Sequence, residues 1–233
     1  MVTKLRIVGA GLALAGIGFL GAAGFAYTEV AAGQNSLQKF SEAQGVELAY
    51  DEDGNLTDHG SVEGAEAILD RLENEWGYKV VDSELDPSDP LVNTGTEYMY
   101  QMATVATHIL SGTQPVTVTE TTEYLGETYE PGEYEVPVDG QYWADFEYGN
   151  EIAMQVRAQA WTGVAHGLFG ELGVGSVTAS TLKLGLGIVG LIAGLGALFL
   201  ALGGATFWIA GDVAKRDAAR ASEKVAEPEL ATV

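Results

Sequence analysis

The chain has 233 residues, no cysteine and a formal charge of −22, from 33 acidic against 11 basic residues. That sign excludes a nucleic-acid partner, because phosphate binding needs a basic surface. Without a thiol there are no disulfides, thiolate metal sites, iron–sulfur clusters or cysteine nucleophiles.

Ile7 to Thr28 carries no Asp, Glu, Lys or Arg across 22 residues. A hydrocarbon core of about 30 Å takes about 20 helical residues, and charge at that depth is expensive. The segment therefore predicts a first transmembrane helix. Its apolar run exceeds the roughly 7–15 residues of a signal-peptide core, so it reads as an anchor and not as a leader cleaved after Ala26. Leu37, Phe40 and Ala43 keep helical spacing, which carries the helix on to about Gln44.

Asp51 to Gly60 is a polar turn region. Asp51, Asp53, Asn55 and Asp58 invite comparison with a calcium loop. An EF-hand needs Gly at loop position six and Glu at twelve, where this chain has Leu56 and Val62, so a solvated turn is expected. Ser61 to Trp76 predicts an amphipathic helix, with Val62, Ala65, Ile68, Leu69, Leu72 and Trp76 on one stripe. A short extended piece, Tyr78 to Val81, leads into the turn Asp86-Pro87-Ser88-Asp89-Pro90. Thr96 to Leu110 predicts a second amphipathic helix, with Tyr98, Met102, Val105 and Ile109 on its stripe.

The period then changes. Pro115 to Tyr148 is rich in Val, Thr and Tyr and is broken at Gly126, Pro131-Gly132 and Asp139-Gly140. Two to four short antiparallel strands are expected, with Val116, Val118 and Tyr124 on a covered face. Glu151 to Phe169 predicts a helix packed on the domain or lying near a bilayer surface. Leu184 to Gly211 lacks charge across 28 residues and predicts the second transmembrane helix. Glu223 to Val233 reads as a disordered tail.

Of the 33 acidic residues, 28 lie between Thr28 and Lys183, where only five basic residues occur. Lys4 and Arg6 precede the first span; Lys215, Arg216, Arg220 and Lys224 follow the second. Basic flanks favour the cytoplasmic side. The expectation is a multi-pass plasma-membrane protein of membrane α+β class. Residues 1–6 and 212–233 are cytoplasmic, 7–28 and 184–211 span the bilayer, and 29–183 form an acidic extracytoplasmic domain. That domain combines helices with a small antiparallel hairpin insertion at about 115–148.

Both spans are rich in small residues. Gly11 with Ala15, Gly18 with Ala22, and Gly190 with Gly194 make small-xxx-small pairs, and Gly185, Gly187 and Gly196 add more. Such residues let helix backbones approach closely in lipid. Gly11, Ala15, Gly18, Ala22, Gly187, Gly190 and Gly194 are the candidate helix-packing residues, either between the two spans or against helices of a larger complex.

His59, His108 and His166 are far apart in sequence and form no HxH or HExxH pattern, so isolated histidines and no metal centre are expected. There is no nucleophile elbow, P-loop or dinucleotide fingerprint. A non-enzyme without cofactors is expected.

The stretch Gly77 to Pro90, with its Tyr78, Asp82, Leu85, Asp86, Asp89 and Pro90, followed by the Thr96 to Leu110 helix, resembles a family of actinobacterial two-span membrane proteins. Many members carry the label aromatic ring-opening dioxygenase. That activity would require an iron-binding histidine pair, which no motif here supplies, and it is not expected. In size, topology and acidic outer domain the chain is also similar to accessory subunits of the actinobacterial cytochrome bcc–aa3 respiratory supercomplex. The resemblance implies a non-catalytic subunit that stabilises that assembly or covers its outer face. Its partners would be integral membrane subunits, the lipid bilayer and a basic electron-carrier domain. The alternative is an anchored extracytoplasmic binding or sensor module for a cation or a cell-envelope ligand.

Overall fold

A computed structural model describes residues 1–226, and they divide into two compact units: residues 1–34 with the chain from 182 onward, and residues 35–181. The chain is mostly helical, with two long apolar helices and small antiparallel sheets.

The first unit is built from residues 2–34 of helix α1 (Val2–Gln44) and the part of helix α5 (Gly163–Ala226) from 182 onward. Both are long and apolar enough to cross a membrane. Within this unit they run antiparallel along a seam of small residues. On α1 the buried seam positions are Gly9, Gly16 and Ala23; on α5 they are Gly196, Gly203 and Ala210. Each set repeats every seven residues, the spacing that keeps one helix face on its partner over several turns. A Cβ at Gly16 would lie 2.8 Å from the Gly196 carbonyl oxygen, and one at Gly203 would lie 2.9 Å from the Gly9 carbonyl oxygen. Only glycine permits backbones that close. Val30 packs over Gly185, Leu182 over Gly33, and Phe19 stacks on Phe199 with centroids 5.5 Å apart.

The expected tail is helical at its start, since α5 runs through Glu223 to Ala226. Its last turns hold strong helix formers such as Ala and Lys and an Asp212–Arg216 pair at 2.8 Å. The remainder of that tail lies outside the described residues.

The second unit has two adjoining cores. In one, α2 (Val62–Asp70) packs with α3 (Gly95–Leu110). Ala65, Ile68, Leu72, Tyr98, Tyr100, Ala103 and Leu172 are buried there. Ser61 caps α2 through its Oγ, which accepts from the Gly64 N–H at 3.0 Å, and the helix ends in a π-turn, Arg71–Glu75. The stripe expected on α2 is the observed one at Ala65, Ile68 and Leu72. On α3 the buried face is rotated from expectation: Tyr100, Ala103 and Ala106 are buried, whereas Met102, Val105 and Ile109 are only half-buried. The small Ala103 and Ala106 are fully buried, and the larger residues flank them.

In the other core, the insertion forms two nested antiparallel ladders. β3 (Thr113–Val118) pairs with β6 (Gly132–Pro137), and β4 (Thr122–Tyr124) pairs with β5 (Glu127–Tyr129). Val116, Val118 and Tyr124 are buried, as their alternation predicts. Leu125 and Gly126 join β4 to β5 with φ of 51° and 81°, the signature of a two-residue primed turn. Helix α4 (Glu151–Ala160), capped by Asn150, covers this face with Ile152, Ala153 and Val156.

The helix expected over Glu151 to Phe169 is broken. Trp161 adopts φ −101° and ψ 64°, and Thr162 caps a new helix by accepting from the Ala165 N–H at 3.1 Å. An N-cap threonine hidden in an apolar run overrides the periodicity. The glycine-rich stretch that follows is helical because packing uses its glycines: a Cβ at Gly175 would strike the Tyr98 ring at 2.5 Å. The Tyr78 to Val81 piece joins no ladder. The polar loop, in contrast, holds a short one, β1 (Ala49–Tyr50) with β2 (Leu56–Thr57).

Candidate functional site

Two surfaces carry the functional residue types, one in each unit. In the helix pair, Gly11, Ala15, Gly18, Ala22, Gly187, Gly190 and Gly194 are all exposed. A Cβ built on any of the five glycines among them meets nothing within 4 Å. The contact between the spans therefore falls on other residues: Gly9, Gly16, Ala23, Gly196, Gly203 and Ala210. The sequence signal for the seam is the spacing of seven; the small-xxx-small spacing of four marks the outward faces instead. Those faces combine accessible backbone with large apolar side chains such as Leu14, Leu191 and Leu198.

In the second unit, the polar loop sorts its carboxylates by local geometry. Asp51 Oδ1 accepts from the Asp53 and Asn55 N–H groups at 3.0 and 2.7 Å, and Oδ2 from the Asn55 side chain at 3.0 Å. These bonds hold its carboxyl below the usual carboxylate range. Asp51 therefore closes a turn. Asp86 is likewise held low by Ser88, whose hydroxyl and N–H both donate to it.

Asp58 behaves differently. It opens a tight turn in which Asp58 and Ser61 exchange N–H···O bonds, both at 2.9 Å. His59 and Gly60 occupy the centre with φ of 49° and 83°, a conformation in which His is among the enriched non-glycine residues. This turn and the last turn of α3 bring three side chains together. Asp58 Oδ2 lies 2.8 Å from His108 Nε2, and the His59 ring stacks on the His108 ring with centroids 4.8 Å apart. One donor atom from each of Asp58, His59 and His108 falls within 4.8 Å of the others. The expectation of isolated histidines is thus overturned for two of the three. Asp58 and His108 are 50 residues apart in sequence, and only the packing of α2 against α3 joins them. The available signal was the Asp-His-Gly tripeptide at a turn followed by a histidine in the last turn of a helix.

His166 is the exception. Its Nδ1 lies 2.9 Å from the Thr162 carbonyl oxygen, and its ring meets the edges of Trp143 and Trp161. Beside it, Arg157 is buried and pairs with no carboxylate among the described residues. Its guanidinium carbon sits 3.6 Å from the Trp143 ring centroid and 4.7 Å from that of Tyr148. The ring faces hold the cation where an ion pair would otherwise be needed.

Glu97 is the most buried carboxylate among the described residues, 2% exposed. It completes a capping box with Thr94, accepting from the Asn93 and Thr94 N–H groups at 2.9 and 2.8 Å. Burial nevertheless raises its carboxyl above the usual range. The nearby Tyr50 hydroxyl is pushed up to about 12 by burial, then by the negative charge of Glu97 and Asp86. Glu97 thereby caps the start of α3.

No known protein family, curated protein or solved structure matches the chain.

Proposed function

We propose that the protein is a non-catalytic accessory subunit of a large membrane complex, anchored by α1 and α5 and docked through their outward small-residue faces. The single observation behind this reading is that the pair closes on one set of small residues and leaves a second set exposed. Seven such residues on lipid-facing surfaces exceed what insertion requires, and close helix approach is what they allow. The basic flanks favour an orientation with both termini in the cytoplasm and residues 29–183 outside. The similarity in size, two-span topology and acidic outer domain to accessory subunits of the cytochrome bcc–aa3 supercomplex makes that supercomplex the assembly of choice. In that setting the acidic domain covers the outer face and steers a basic electron carrier by opposite charge.

Gentle solubilisation of a tagged full-length chain should recover cytochrome and oxidase subunits by mass spectrometry. The double variant Gly190→Leu, Gly194→Leu should lose them while keeping its own fold. Recovery of the chain alone, with normal oxygen consumption in a deletion strain, would overturn the reading.

A further inference from the structure

We propose that Asp58, His59 and His108 form a binding site for one divalent first-row transition ion of the zinc and copper type. This inference is independent of the docking reading above, since the ion and the partner helices are tested by separate measurements.

The donor set carries the choice of ion. Two imidazoles and one carboxylate suit Zn²⁺, Cu²⁺, Co²⁺ and Ni²⁺, whereas Ca²⁺ and Mg²⁺ prefer cages of oxygen. Ligand bonds of about 2.0–2.2 Å to a tetrahedral ion set neighbouring donors roughly 3.3 Å apart. The present arrangement brackets that separation, with 2.8 Å between Asp58 Oδ2 and His108 Nε2 and all three donors within 4.8 Å. Closing the set takes side-chain rotation of about an ångström. Both histidines are exposed.

The supports of the three donors are unequal in a useful way. Asp58 is held in the hydrogen-bonded turn that Ser61 closes before capping α2. His108 projects from α3, whose packing on α2 is part of the buried core. The donors thus come from two elements fixed to each other, which is what positions a site to useful precision. Three protein ligands leave at least one coordination position to water. The bond between Asp58 and His108 already joins two of the donors that an ion would use.

The sign of the surroundings also agrees. The domain carries 28 carboxylates against five basic side chains, which concentrates cations at its surface. Charge alone does not choose among cations; the paired imidazoles do.

The test is titration of the full-length chain in lipid nanodiscs with Co²⁺ and with Zn²⁺. One ion per chain is expected, with a visible d–d band for cobalt that a hundredfold excess of Ca²⁺ leaves in place. His59→Asn keeps a residue suited to the turn's positive φ, and His108→Gln keeps a polar helix residue; each should weaken binding about tenfold or more. Metal-free thermal midpoints equal to that of the unchanged chain establish that the variants fold. X-ray absorption at the cobalt edge of the unchanged chain provides a check free of any variant, and two imidazole ligands are expected. Displacement by Ca²⁺, binding indifferent to both histidine changes, or fewer than two imidazoles would each overturn the site.

Discussion

The small-residue seam makes a differential prediction from two glycines on the same helix. Gly16→Ala places a Cβ 2.8 Å from the Gly196 carbonyl oxygen and from the Leu200 backbone nitrogen, whereas Gly11→Ala meets nothing within 4 Å. Ordinary contact begins at 3.4 Å, so the helices must separate by about 0.6 Å at Gly16. Two of the obstructing atoms are backbone and cannot rotate aside. Overpacking of this kind costs about 1–3 kcal/mol. Both substitutions also gain helix propensity, up to about 1 kcal/mol for Ala over Gly, and that gain cancels in the comparison. Gly16→Ala should therefore be less stable than Gly11→Ala by about 1–3 kcal/mol. Equilibrium unfolding of the full chain in mixed micelles, followed by far-ultraviolet circular dichroism, measures the difference. Equal stabilities, or a more stable Gly16→Ala, would refute the seam.

Three further predictions concern the second unit. Glu97→Ala orphans the Asn93 and Thr94 N–H groups and should cost about 2–4 kcal/mol, whereas Glu97→Gln keeps an acceptor and costs less. Because the folded carboxyl of Glu97 is raised above 4.5, its contribution is complete below that pH and declines as pH rises through the folded value. Thermal midpoints from pH 4 to 7 should show this fall in the unchanged chain and a smaller one in Glu97→Gln. Arg157→Lys exchanges a planar cation between two rings for a compact ammonium and should cost about 1–2 kcal/mol, with altered tryptophan emission; an unchanged midpoint would contradict the ring-clamp account. Leu125→Asn should stabilise by about 0.5–1 kcal/mol, since the exposed Leu125 sits at φ 51° in a turn that favours Asn-Gly. Denaturant midpoints decide it, and a loss of stability would count against the primed turn.

The sequence was most legible where one physical rule acted alone. Absence of charge marks both apolar helices, and the spacing of Leu37, Phe40 and Ala43 carries α1 to its observed end at Gln44. Alternation at Val116 and Val118 gives the covered face of the hairpin. Legibility failed where two rules competed. Thr162 is a helix cap inside an apolar run, so the break before α5 was invisible to periodicity. On α3, Ala103 and Ala106 are fully buried although their hydrophobicity is modest. Small residues recur in the spans at spacings of both four and seven, and only coordinates show which set closes the pair. The meeting of His59 with His108 belongs to tertiary packing and left a trace only in local turn chemistry.

The seven-residue recurrence of the seam has a consequence for alignment of the helix pair. A seam that looks the same after each heptad works like a vernier with several coincident marks. Sliding one helix by seven residues would set Gly16 against Gly203 and Ala23 against Gly196, again small against small. Glycines alone therefore cannot choose the register. The choice falls to features that do not repeat: the Phe19–Phe199 stack, Val30 over Gly185 and Leu182 over Gly33. Exchanging those few bulky residues, with every glycine untouched, is the change that would let the two helices lock one notch away.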